Sequence, residues 1–79
     1  MDNTTQIALN KLTERQRHYC RNLSVIINKC RHSDKTLTFF ATCGKLEGYL
    51  DSLMDSEITK EDWKILLHYY ETADRSVEG

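Results

Sequence analysis

Between Thr5 and Arg31 the apolar positions recur in alternating threes and fours. Leu9, Leu12, Tyr19, Leu23, Ile26 and Cys30 fall on one face, with Gln16 the polar exception in the seam and Ile27 beside it. That spacing predicts one long amphipathic helix over about residues 5–31. Arg15 and Lys29 would flank the seam on one side, while Thr13, Cys20 and Ile27 on the other supply no acidic complement. A parallel self-paired coil of this helix therefore gains no ion pairs between strands, and its natural neighbour is acidic.

The stretch His32 to Lys35 reads as a turn with Ser33 or Asp34 available as an N-cap. Residues 36–43 have two readings. Leu37, Phe39, Ala41 and Cys43 alternate with Thr36, Thr38, Phe40 and Thr42, as in a strand. No second strand is visible to pair with it, and a lone strand is not a stable element. A helix over about residues 35–55 fits as well, because Phe39, Cys43, Leu46, Leu50 and Leu53 continue the three-and-four spacing, with Phe40 and Met54 beside them. We take the helix. Its Gly44 and Gly48 each cost about 1 kcal/mol relative to Ala. With Leu37 and Ala41 they form a stripe of mostly small side chains that would admit another backbone closely; the alternative is a local break near Gly44.

The third element opens with a local signal. Thr59 is the expected N-cap, Asp62 completes an Asp version of the capping box, and Ile58 can staple onto Trp63. The helix from Lys60 to about Arg75 then places Trp63, Leu66, Leu67, Tyr70 and Ala73 on one face, with Ile65 and Tyr69 off it. Both connections are short, which favours antiparallel neighbours. The expected fold is all-α: a three-helix bundle, or an extended helical hairpin with a third packed helix, forming one domain over residues 1–79 with 1–5 and 76–79 frayed.

A chain of 79 residues buries only about 60% of the surface that its unfolded form exposes, so the core is thin. Such domains lean on disulfides, a metal or a second subunit. Three cysteines, with the polar segment Met1–Gln6 in place of a secretory signal, point to a reducing, cytoplasmic setting. Apolar residues remain after each helix is given one buried face, so a two-fold homodimer is expected to complete the fold. No run approaches the roughly 20 apolar residues of a membrane span.

Charge changes the picture more than composition does. Through Lys45 there are eight basic and three acidic residues, a balance of +5; from Leu46 onward three basic residues face nine acidic ones, a balance of −6. The near-neutral total conceals two opposed surfaces. Either the basic part closes on the acidic part or the two face different partners.

Candidate chemistry is sparse. His18 and Cys20, like Cys30 and His32, are two residues apart, which on a helix directs them about 200° from each other. Helical zinc sites use spacings of three or four, so these residues, with Cys43, read as packing cysteines and solvated histidines, and no metal or other cofactor is expected. No cysteine has a base and an orienting group in pattern. The pairs Asp51/Asp55 and Glu61/Asp62 have nothing to separate their pKa values and read as solvated faces. A non-enzymatic protein is expected.

Two binding functions remain. Arg15, Arg17, His18, Arg21, Lys29 and Arg31 form a basic first helix that would suit a small nucleic-acid-binding or nucleoid-associated protein. Against it, these residues spread around the polar surface, no aromatic is interleaved for base stacking, and the acidic half repels phosphate. The favoured reading is a regulatory protein that binds another protein, with Tyr49, Ile65 and Tyr69, and Leu37 beside them, left outside the core faces to do so. The segment Leu46–Asp55, followed by Ile58-Thr-Lys-Glu-Asp-Trp, resembles the helix, tight turn and capped helix of small accessory proteins of temperate phages and prophages. That resemblance implies a non-enzymatic modulator of host or phage machinery.

Overall fold

The structure is a computed structural model that describes residues 2–73. Those residues form four helices: α1 (Asn3–Asn10), α2 (Glu14–Arg31), α3 (Thr36–Leu53) and α4 (Lys60–Thr72). The fold is an all-α bundle. Residues 36–43 are helical, and among the described residues the one β-type pairing is an isolated bridge between Met54 and Ile58.

The long first helix is divided in two. Thr13 Oγ1 accepts from Gln16 N–H at 3.1 Å, and Gln16 Oε1 accepts from Thr13 N–H at 2.8 Å, a complete capping box that starts α2. Gln16, the polar exception in the apolar seam, is the partner in that cap. Arg17 Nη1 donates to the carbonyls of Leu9 (3.1 Å) and Leu12 (3.2 Å), tying α2 to the end of α1, where Leu9 O also accepts from Leu12 N–H. Within the segment 1–5, where fraying is expected, α1 starts at Asn3 and the Asp2 carboxylate accepts from Thr5 N–H at 2.8 Å as its cap. The expected fraying of 76–79 lies outside the described residues.

The buried face of α2 is also rotated from the expected seam. Tyr19 and Ile26 are exposed, and Cys20, Leu23, Ser24, Ile27, Asn28 and Cys30 are buried. The cause is that α2 packs against both α3 and α4, so its buried centre lies between two neighbours rather than along one apolar seam. Ser24 is accommodated there because its Oγ donates to the Tyr70 carbonyl at 2.6 Å.

Tyr19 packs against Tyr49 with tilted rings whose centroids are 4.5 Å apart, and the Arg31 guanidinium stands 5.9 Å from the Phe39 ring centre, so α2 and α3 run antiparallel. Between them Ser33 Oγ accepts from Lys35 N–H at 3.4 Å, but the N-cap position of α3 is held by Lys35 with no side-chain cap bond, so neither Ser33 nor Asp34 is its N-cap. Gly44 and Gly48 do not break α3, and among the described residues neither meets a neighbouring backbone: a Cβ added at either would have none of their atoms within 4 Å. The turn into α4 is tight. Asp55 takes the left-handed conformation (φ 73°), donating its N–H to Ile58 O at 2.8 Å, while Glu57 N–H donates to Leu53 O at 2.9 Å. Thr59 and Asp62 close the expected capping box of α4, and Ile58 is buried just before it. The core is made of Ala8, Leu9, Leu12, Cys20, Leu23, Ile27, Leu46, Leu50, Leu53, Ile58, Leu66 and Tyr70, contributed by all four helices and the turns between them.

Candidate functional site

Tyr49, Ile65 and Tyr69, expected to lie outside the core faces, are half-buried and packed against the core. A helix touching more than one neighbour buries a wider arc than a single apolar face. Tyr49 is held by the Tyr19 ring, and burial pushes its phenol pKa up, with Cys20, Tyr19 and Glu57 acting in the same direction.

Besides Ile7, Tyr19 and Ile26, which are about half exposed, two large apolar side chains stand further out. Leu37 is 86% exposed and Phe40, expected beside the core, is 65% exposed. Both belong to α3, and Ala41, Gly44 and Gly48, also exposed, continue their surface along the helix. This is the face opposite Leu46, which is fully buried. Phe40 packs edge-on to Phe39 at 5.4 Å between centroids, and the two border a cleft of about 260 Å³ with Cys30, Arg31, Ser33 and Thr36. The corner thus combines apolar rings with a guanidinium. The signal was present in the sequence at Leu37; Phe40 was missed because its phase on the helix lies at the border between the inner and outer faces.

The basic residues divide into two sets. Arg15, His18 and Lys29 lie on the outward face of α2, spaced so that they share one side, and Arg21 is exposed beside them. Arg17 is bonded to carbonyls at the end of α1, and Arg31 donates to the Glu71 carbonyl at the end of α4. His18, Arg17 and Arg21 also line a cleft of about 310 Å³ with Leu9, Glu14, Tyr69 and Tyr70. Lys11 meets the acidic half directly. Its Nζ lies 2.7 Å from Asp62 Oδ2, tying the end of α1 to the start of α4. Asp62 is therefore not a solvated carboxylate: the residue is 6% exposed. Burial alone would raise its pKa, but the hydrogen bonds of Lys11 and Thr59, with the charge of Lys11, outweigh it and hold the carboxyl below its usual range.

The cysteines and histidines do not come together as ligands. Cys20 and Cys30 are buried, Cys43 is half-buried, and His18 and His32 are exposed; among the described residues no three His, Cys, Asp or Glu side chains are placed to hold a metal ion. Burial pushes the Cys20 thiol up to about 12. Cys43 is pushed up to about 11 by burial first, then by the charge and hydrogen bond of Glu71, with Arg31 opposing. Both are thiols rather than nucleophilic thiolates at neutral pH. No described helix is long and apolar enough to cross a membrane.

Compared with models of protein families, with curated proteins and with solved structures, the chain matches none.

Proposed function

We propose that this chain is a small non-enzymatic accessory protein that acts by binding protein, and that the outward face of α3, led by Leu37 and Phe40, makes the contact. The observation that carries this reading is the exposure of two large apolar side chains one turn apart, at 86% and 65%, the second of which lines a cleft with the Arg31 guanidinium. Scattered exposed apolar residues are ordinary, but a contiguous apolar corner with aromatic rings and Arg has the composition of an interface centre. Tyr49, Ile65 and Tyr69 then act as support from beneath rather than as the contact itself. The phage-like hairpin over residues 46–63 extends the reading to a modulator of phage or host machinery working in the cytoplasm.

A photo-crosslinking side chain placed at Leu37, and in a second protein at Glu61 on the exposed start of α4, tests the reading in cells. Covalent adducts are expected at position 37 and not at 61. Equal capture at both positions, or none at either, would remove the α3 face from consideration.

The runner-up is a nucleic-acid-binding protein, supported by the alignment of Arg15, His18 and Lys29 on the outward side of α2. The carbonyl bonds of Arg17 and Arg31 weigh against it, since they leave fewer cations to meet phosphate.

A further inference from the structure

We propose that the occupant of the outward face of α3 is a second copy of this chain, docked α3 against α3 in parallel about a two-fold axis. The proposal rests on the protein-binding reading and deepens it by naming the partner.

Leu37, Ala41, Gly44 and Gly48 fall within an arc of about 60° opposite the buried Leu46, with Phe40 at its border. Large apolar side chains occupy the amino-terminal end of this arc, and the glycines leave the carboxy-terminal end flat. Each glycine lowers helix propensity. Among the described residues nothing uses the space they open, since a Cβ at either position meets none of their atoms within 4 Å. A second helix approaching from outside would use it, and would cover Leu37 and Phe40 in the same step.

The charges beside the arc say which helix fits. Lys45 and Glu47, both exposed, stand about 80° to either side of the glycines, on opposite flanks. In a parallel two-fold pair the flank of one helix faces the opposite flank of the other. Lys45 of each copy then lies beside Glu47 of its mate, giving two equivalent ion pairs at the height of the closest approach. An antiparallel pair would set Lys45 against Lys45 and Glu47 against Glu47. The parallel arrangement is isologous and closes on itself, so it ends at a dimer. Leu37 and Phe40 meet their own equivalents at its amino-terminal end.

Sedimentation of the full chain at about 50 µM tests this, a concentration suited to a small interface of micromolar affinity. A dimer is expected. Gly44→Leu improves helix propensity in open space and so preserves the fold, yet blocks close approach; it is expected to be monomeric with undiminished helical circular dichroism. Lys45→Glu should weaken association about tenfold, by turning two attractions into repulsions, and Lys45→Glu with Glu47→Lys should restore it. A strictly monomeric native chain overturns the proposal, as does a dimer indifferent to Gly44→Leu or to the charge swap. A monomer whose position-37 crosslinker captures only proteins of other masses overturns self-pairing while leaving the protein-binding reading in place.

Discussion

Asp62 takes part in three bonds: its Oδ2 accepts from Lys11 Nζ and from Thr59 N–H, and its own N–H donates to Thr59 Oγ1. An exposed ion pair contributes little, but here one partner is buried and its Oδ2 accepts a second bond, from Thr59 N–H. The carboxylate also sits in the first turn of α4, where the helix dipole favours a negative charge. Asp62→Asn, which keeps the shape and removes the charge, is expected to cost about 1–2 kcal/mol at neutral pH, read as a lowered urea midpoint at constant slope. The pH dependence has a definite sign. Because the folded-state pKa is held below the ordinary 3.8, the stabilisation is complete above that value and is lost as pH falls through the lower, folded value. The native and Asp62→Asn proteins should therefore converge in stability in acid, below about pH 3.8. Curves that stay parallel through that range would show that the carboxylate charge is not what holds α1 to α4.

At the scale of elements, the break between α1 and α2 separates two ways of reading periodicity. Thr13 and Gln16 form the same reciprocal cap as Thr59 and Asp62. The second was legible because a turn precedes it and the apolar pattern restarts after it. The first was not, because Leu9, Leu12 and Leu23 keep a continuous spacing across the break, and spacing carries no information about where the chain bends between buried residues. Residues 36–43 resolved as helix since strand alternation had no partner to pair with, whereas the three-and-four spacing had a core to face. The candidate site was less legible than the fold. Each helix was assigned one apolar face, which left Ile65 and Tyr69 over, while in the bundle α4 touches α1, α2 and α3 and draws both against the core. Thr13→Ala distinguishes the two accounts of the first segment by its sign. In an uninterrupted helix Ala would be neutral or stabilising; as the cap of α2 its loss is expected to cost about 1 kcal/mol, measured by the denaturation midpoint.

For the molecule as a whole, the segregated charge is partly consumed by folding. Lys11 is paired with Asp62, Arg31 reaches the Glu71 carbonyl, and Arg17 is bonded to carbonyls of Leu9 and Leu12, so three cations of the basic half act as fasteners. Arg15, His18 and Lys29 remain along the outward face of α2. The exponent of salt dependence scales with the number of phosphates contacted, so a few surface cations can give only weak, shallow binding, the more so beside an acidic half. A labelled duplex followed by fluorescence anisotropy is expected to show little association with the native chain at about 50 mM salt and none at about 200 mM. The informative variant is Arg15→Gln with Lys29→Gln. Substituting Arg17 as well would confuse the result, because its loss removes the bonds that tie α2 to the end of α1 and lowers stability whatever its part in binding. The double variant should fold as the native chain does and differ little from it in the assay. Tight binding that falls steeply with salt and disappears in the double variant would instead make the outward face of α2 the functional surface, and the apolar face of α3 secondary to it.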